Sequence, residues 1–137
     1  MRYVLLLAFV LGLAAPAAHA DRFAPITDPV VKKECGACHM AYQPIFLRKS
    51  SWSRIMSNLE NHFGEDASLD PKVRKRIRHY MVKHARDRGD KVLRITELRW
   101  WKRKHSREVS KKQWDRAGSA ANCQACHKAA ERGYYGG

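Results

Sequence analysis

All four cysteines of this 137-residue chain lie in two short motifs, CGACH at 35–39 and CQACH at 123–127. Each motif ends in a histidine. Disulfides, a four-cysteine zinc site and covalent haem attachment all use such pairs, but disulfides and zinc do not need the histidine. In haem attachment the two thiols add to the two vinyl groups, and the adjacent histidine binds one side of the iron. Two complete motifs and no leftover cysteine therefore favour two c-type haems.

The motifs assign two kinds of role to their residues. The predicted thioether bonds come from the four cysteines, Cys35, Cys38, Cys123 and Cys126. The predicted proximal ligands of the two irons are the adjacent histidines, His39 and His127. Two haem c groups would also add large apolar surfaces to a small, highly charged chain, which otherwise has little apolar material for a core.

The first twenty residues have the composition of a signal peptide. A short basic start precedes the apolar run VLLLAFVLGLAA at 4–15, and AHA at 18–20 has the small-x-small form of a cleavage site. We expect cleavage after Ala20, which leaves residues 21–137 as one dihaem domain. No later stretch approaches the roughly 18–20 apolar residues of a membrane helix. The mature chain is therefore predicted to be exported and not integral to the membrane.

The chain is strongly basic, with a formal net charge of +14. Loss of residues 1–20 removes a single charged residue, Arg2, so the mature charge is +13. In an exported protein this charge favours acidic protein partners or anionic lipid, and we expect no nucleic-acid partner. Solvated helix faces account for much of the same charge.

Helical signals recur along the chain, and no segment shows the alternation of a strand. The predicted fold is mostly α, with about five short helices and loops packed around two haems. Asp28-Pro29 and Asp70-Pro71 each combine an N-cap residue with proline at the first helical position. The segment between the first motif and the next helix contains Pro44 and is expected to be a loop or broken helix around the first haem.

Three further helices are predicted from cap residues that are not followed by proline. SWSRIMSNLENHFG should form a helix from a serine cap to Gly64, with His62 on its apolar stripe. Thr96 is predicted to cap the helix TELRWWKRKHSREV. Gly118-Ser119 is predicted to cap a helix that carries the second motif.

The second axial ligand of each iron decides the function. A histidine gives a closed low-potential carrier, a methionine raises the potential, and an empty position permits gas or peroxide chemistry. His62, His84 and His105 all lie on predicted apolar helix faces. His62 and His105 have the larger aromatic surroundings, whereas His84 lies among basic residues and remains an alternative. The weaker candidates are three methionines, of which the last two lie on stripes typical of a core: Met40, Met56 and Met81.

Three stretches carry a resemblance to a known family: CGACHMAYQP, HFGEDASLD at 62–70 and NCQACHKAAERG. The chain resembles the bacterial dihaem cytochrome c family, DHC, over nearly all of its mature part. The resemblance implies two histidine ligands on each iron, with His62 and His105 as the distal ones. Proximity in the chain suggests His62 for the first haem and His105 for the second, but the crossed pairing stays open. The implied partners are a membrane b-type cytochrome upstream and a small oxygen-binding monohaem cytochrome c downstream.

The expected function is therefore that of a periplasmic electron carrier and not an enzyme. Its two bis-histidine, low-spin haems would pass single electrons between redox partners, and the basic residues 102–104 beside His105 would guide docking. The alternative is a small peroxidase, nitrite-reacting or oxygen-reacting enzyme with one open iron. It requires either His62 or His105 to be a bystander.

Overall fold

The computed structural model describes residues 21–136, which form five α-helices. They are α1 (Pro29–Cys35), α2 (Lys49–Met56), α3 (Pro71–His84), α4 (Arg99–Glu108) and α5 (Lys111–Ala117). Short 3-10 turns lie at Pro44–Phe46, Leu59–Asn61, Ile95–Glu97, Cys123–Ala125 and Ala130–Arg132. The predicted mostly α fold is confirmed. Within residues 21–136, no helix is both long enough and apolar enough to cross a bilayer. The predicted signal peptide lies outside the described residues.

Two helices begin as their sequences predict. The Asp28 carboxylate accepts hydrogen bonds from the backbone N–H groups of Val30 and Val31, and Asp70 caps α3 in the same way. Each aspartate is followed by proline, whose fixed φ suits the first helical position and whose missing N–H costs nothing there. Because α1 ends at Cys35, the first haem motif starts directly on a capped and anchored helix.

The main apolar core lies between α2, α3 and the segments that flank them. It consists of Ile26, Val31, Leu47, Trp52, Ile55, Met56, Leu59, Ile77, Met81 and Leu98. Burial of each large apolar side chain contributes about 1.5–3 kcal/mol. The indole N–H of Trp52 donates to the Pro44 carbonyl at 2.7 Å, which holds the predicted broken-helix segment against α2. This core anchors α1 through Val31, and with it the first haem motif.

The helix predicted to reach Gly64 is shorter than expected. Helix α2 ends at Met56, and His62 follows a separate 3-10 turn. Paired backbone hydrogen bonds join His62 and Glu65, at 2.7 Å and 3.3 Å, while the side chain of Asn61 accepts the N–H of Gly64. This tight turn requires positive φ at Phe63 (59°) as well as at Gly64. His62 is therefore presented by a turn and not by a helical face.

The carboxyl-terminal helices also differ from the prediction. Thr96 lies in a 3-10 turn, and α4 begins after Leu98 without a side-chain cap. A separate helix, α5, begins at Lys111 and is capped by Ser110, whose hydroxyl and backbone exchange hydrogen bonds with Gln113 in a capping box. Gly118 ends α5 at a φ of 70°, a conformation that suits glycine at a helix end. The second motif begins on a 3-10 turn, Cys123–Ala125, and does not lie on an α-helix.

The two ends of the described chain are joined by backbone hydrogen bonds. The N–H of Phe23 donates to the Gly133 carbonyl at 2.8 Å, and the N–H of Tyr135 donates to the Asp21 carbonyl at 3.0 Å. These bonds hold the segment that follows the second haem motif against the residues that precede α1.

Candidate haem sites

The first motif extends from the end of α1 into an irregular turn. Cys35 closes the helix, Cys38 is exposed, and His39 is half-buried. The Nδ1 of His39 lies 2.7 Å from the Met40 carbonyl, which can only accept, so Nδ1 carries the proton and donates. The other ring nitrogen, Nε2, is then the unprotonated nitrogen that binds metals.

The His62 turn brings its imidazole in front of His39. The two ring centroids are 6.2 Å apart, and the ring planes differ by 23°. The ring centroids of His62 and Phe63 lie 4.8 Å apart in an edge-to-face arrangement, and the guanidinium of Arg94 lies 4.2 Å from the Phe63 ring centroid. A cation above an aromatic face is attractive. Arg94 thereby helps to hold the turn that presents His62.

Two backbone N–H groups of the second motif share one carbonyl acceptor. The backbone N–H groups of Cys126 and His127 both donate to the Cys123 carbonyl, at 3.3 Å and 2.8 Å. This tight turn brings the second motif's cysteines and histidine close together. The ring of His105, from α4, faces His127 with a centroid separation of 6.2 Å and an interplanar angle of 81°.

Helix α4 fixes the orientation of the His105 ring. Its Nδ1 donates to the Trp101 carbonyl at 2.9 Å, one helical turn earlier. The imidazole also stacks on the Trp101 indole at 4.1 Å, with an interplanar angle of 15°. A hydrogen bond from one ring nitrogen to a carbonyl sets the tautomer and aims the other nitrogen at a metal.

The separation of both histidine pairs fits a metal ion between them. A metal–imidazole bond is about 2.0–2.1 Å, and a ring nitrogen lies about 1.1 Å from its centroid, so two opposed ligands have centroids about 6.2–6.4 Å apart. The observed value is 6.2 Å for His39 with His62 and for His105 with His127. Residues 21–136 contain no group of three or more histidine, cysteine, aspartate or glutamate side chains suited to a metal. Two histidines at each site would suit a haem iron, because the porphyrin would supply the remaining ligands.

The alternative ligands lie elsewhere. His84 is exposed at the end of α3, with its ring 4.6 Å from the Tyr80 ring, and it is not brought beside His39 or His127. Met56 and Met81 belong to the apolar core, and Met40 is also buried. The structure thus brings together the two predicted proximal histidines with His62 and His105, in the uncrossed arrangement.

Burial shifts the pKa of two histidines and two cysteines at the sites. The pKa of His62 is lowered mainly by burial and further by the nearby His39 and Arg94. The pKa of His127 is likewise lowered mainly by burial and further by His105. Both shifts favour the neutral imidazole, which is the form that binds metal. Burial raises the pKa of the Cys35 thiol to about 11 and also raises that of Cys123.

Two tyrosines and a glutamine at the sites carry no sequence signal that singles them out. The Tyr42 ring stacks on His39 at 4.7 Å, and the Tyr135 ring lies 5.4 Å from His127. Burial is the main cause that raises the pKa of Tyr42 to about 12, and it raises that of Tyr135 as well. Between them, the fully buried Gln43 donates to the Ala130 carbonyl at 2.8 Å and accepts from the Tyr135 hydroxyl at 2.5 Å.

The known proteins that this chain is similar to are dihaem cytochromes. A family profile described as dihaem cytochrome c, DHC, matches residues 31–135. The crystal structure of DHC from Rhodobacter sphaeroides is 51% identical, with a TM-score of 0.76, over 80% of this chain and 98% of that one. A second structure of diheme cytochrome c from the same organism is 48% identical, with a TM-score of 0.78, over 82% and 99%.

A third solved structure, less similar in sequence, is also a dihaem cytochrome c. The diheme cytochrome c sb-DHC from Shewanella baltica OS155 is 42% identical, with a TM-score of 0.68, over 77% of this chain and 84% of that one. No curated protein sequence matches the chain. The profile and the three structures, together with two Cys-x-x-Cys-His motifs that fit covalent attachment, show that the chain belongs to the dihaem cytochrome c family and carries two covalently bound haem c groups.

Proposed function

We propose that this c-type electron carrier works in the periplasm with both irons closed by histidine on each side. The first iron is held by His39 and His62, and the second by His127 and His105. The observation that carries the proposal is the 6.2 Å centroid separation of both pairs. Cys35 and Cys38 attach the first haem, and Cys123 and Cys126 attach the second.

Each haem supplies a one-electron iron couple. The protein side chains keep the surroundings of that couple constant. Hydrogen bonds from Nδ1 fix the rings of His39 and His105, and stacking on Trp101 further restrains His105. Rings held in this way move little when the charge on the iron changes. Because an imidazole occupies the distal side of each iron, small substrates have no position at which to bind.

The oxidised and reduced spectra test the closed irons. Wild-type protein should be low-spin in the oxidised state and should not bind carbon monoxide on reduction. His62→Ala and His105→Ala should each make one haem high-spin and reactive with carbon monoxide. The matched control is His84→Ala, which removes an exposed histidine and should change neither haem. Carbon monoxide binding by the wild-type protein would instead support a small haem enzyme with an open iron.

Periplasmic location rests on the predicted signal peptide and on covalent haem attachment. Bacterial cells that express the full chain should release it with the periplasmic fraction. Mass spectrometry should then find a chain that begins at Asp21 and carries two haems. Retention of residues 1–20 in the holoprotein would show that the segment is an anchor.

The proposed partners are acidic redox proteins, among them a membrane b-type cytochrome and a small oxygen-binding monohaem cytochrome c. Lys102 and Arg103 are exposed on α4, the helix that carries His105. Their positive charge lies near the second haem site, where it would speed the encounter with an acidic surface. Neighbouring Lys104 is paired with Asp21 and contributes less free charge.

Charge-removing variants test the docking surface. Lys102→Gln with Arg103→Gln should slow electron transfer to an acidic monohaem cytochrome c at low salt and weaken its salt dependence. The control is Lys72→Gln with Lys75→Gln, which removes the same charge from exposed positions on α3. Equal effects of the two pairs would indicate that net charge, and not the α4 surface, guides docking.

A further inference from the structure

Tyr42 contacts the first haem-binding motif and the backbone that leads into the second. Its ring stacks on the imidazole of His39, with centroids 4.7 Å apart and planes 16° apart. Its hydroxyl donates a hydrogen bond of 2.6 Å to the carbonyl of Ala121, 79 residues further along the chain. One side chain thus joins a proposed iron ligand of the first site to the backbone two residues before the second motif.

The Ala121 carbonyl leads directly to a haem-attaching cysteine. The same oxygen also accepts the backbone N–H of Cys123, at 3.0 Å. From the His39 ring to the Cys123 side chain, the connection therefore consists of one ring contact, one aromatic side chain, two hydrogen bonds that share an oxygen, and covalent bonds. Electronic coupling falls much less steeply through bonds and hydrogen bonds than through empty space.

We propose that Tyr42 provides the coupling route for electron transfer between the two sites. The inference rests on the proposed ligation of the first iron by His39. Each transfer moves one electron from the reduced iron to the oxidised one; no bond forms or breaks, no proton is released, and Tyr42 is not itself oxidised. Tyr42 is accordingly a positioning and coupling residue that acts through His39 and Cys123.

A second link between the two halves allows this role to be tested separately from folding. Gln43 is fully buried and bonds to Ala130 and Tyr135, which lie beyond the second motif. This link does not include the Tyr42 hydroxyl. Loss of that hydroxyl should therefore leave the two motifs in place.

The test compares three holoprotein variants that differ in which contact they remove. Tyr42→Phe keeps the ring on His39 but loses the hydrogen bond to Ala121. Tyr42→Leu loses both contacts. Tyr80→Phe is the matched control, because the Tyr80 hydroxyl accepts a hydrogen bond from the Thr27 N–H at 3.0 Å, 53 residues away, on a surface outside both motifs.

The measurement follows one electron inside the protein. Oxidised protein is mixed with less than one equivalent of a fast reductant and frozen at increasing times. Electron paramagnetic resonance then shows which low-spin ferric signal has been lost, since the two histidine pairs have different ring angles. Tyr42→Phe should slow the redistribution several-fold with both signals unchanged in shape. Tyr42→Leu should slow it further and should also shift the first signal, because the His39 ring loses its stacking partner. Tyr80→Phe should match the wild type.

Two results would overturn the proposal. One is a Tyr42→Phe rate equal to that of the wild type; the other is an equal slowing by Tyr42→Phe and Tyr80→Phe, which would indicate general loosening. If Tyr42→Leu fails to take up haem, Tyr42→Phe still decides, since it retains the ring. Failure of the proposed ligation has a different signature: a high-spin signal in the wild-type protein before any variant is made.

Discussion

The ring centroids of His39 and His62 lie 6.2 Å apart, and the planes of the two imidazoles are nearly parallel, at 23°. The rings of His105 and His127 have the same separation, but their planes are nearly perpendicular, at 81°. The two pairs also differ in how one histidine of each is presented: His62 by a tight turn, and His105 by a helix whose Trp101 stacks against its ring. The two sites are therefore chemically alike and geometrically distinct.

This difference predicts two distinguishable ferric signals. Axial ligands tune haem iron, and the angle between two imidazole planes sets the splitting of the iron d orbitals. The oxidised protein should show a well-resolved rhombic low-spin signal and a broader, more anisotropic one, with equal intensity. His62→Ala should remove the first and His105→Ala the second, while His84→Ala should preserve both. A single superimposed signal from the wild type would contradict the different ring angles.

Local sequence signals predict some of these features well. The caps at Asp28 and Asp70 depend on contacts within three residues, so an aspartate followed by proline is enough to indicate where α1 and α3 begin. The serine–glutamine capping box of α5 is equally local. Val109, however, continues the apolar spacing of α4, so the apolar pattern alone does not show the break between the two helices.

Other features depend on contacts distant in the chain. His62 has helical spacing relative to Leu59, yet the backbone turns away after α2, and the carbonyl of Leu59 accepts the N–H of Ala67 at 2.9 Å. No local propensity predicts positive φ at a phenylalanine such as Phe63. Similarly, the meeting of Tyr42 with Ala121 is set by the packing of two segments that the sequence keeps far apart.

The charged contact between Asp28 and Arg76 predicts a change in acid stability. The Asp28 carboxylate accepts hydrogen bonds from Arg76 at 3.0 Å and 3.1 Å, and this contact is the main reason that its pKa lies below 3.8. A lowered folded-state pKa adds stability that is present above the unfolded-state pKa and is lost as pH falls through the folded pKa. Asp28→Asn keeps an N-cap, so it should lower Tm slightly at neutral pH and flatten the fall in Tm below about pH 4.

The control for this prediction is Asp70→Asn. Asp70 caps α3 with the same kind of backbone hydrogen bonds, at 2.9 Å and 3.3 Å, and no ion pair to it is found among residues 21–136. Its variant should retain the acid dependence of the wild type. The measurement is Tm of the holoprotein between about pH 2 and pH 6. Parallel curves for Asp28→Asn and the wild type would show that the Arg76 contact contributes nothing to the acid dependence.

Gly133 should tolerate no side chain. Its φ of 84° costs about 1–3 kcal/mol for a residue other than glycine, and a Cβ there would lie 1.9 Å from the Phe23 carbonyl oxygen. Gly118 has a similar φ of 70° but open space around it. Denaturant unfolding of the holoprotein should therefore show a larger stability loss for Gly133→Ala than for Gly118→Ala, for which about 1 kcal/mol is expected. Equal losses would mean that the Phe23 contact adjusts without cost.

Apolar burial is unevenly distributed between the two haem sites. The main core lies within residues 26–98. In the described chain beyond Leu98, the buried apolar side chains are Ala117 and Ala130, both of which are small. Ordering a residue costs about 1–2 kcal/mol of backbone entropy, which so little burial cannot offset. The segment 111–135 should therefore depend on its haem for structure, whereas α2 and α3 have a core of their own.

Selective loss of either haem tests this dependence. Cys123→Ser with Cys126→Ser should leave one haem, abolish hydrogen-exchange protection across 111–135 and preserve protection in α2 and α3. The matched variant, Cys35→Ser with Cys38→Ser, should retain protection in α3, because that helix packs against the core through Ile77, which is fully buried. If removal of the second haem unfolded the whole chain, or left 111–135 fully protected, the proposed division of the core would be wrong. Selective loss would show that the second haem completes a segment that the chain alone cannot fold.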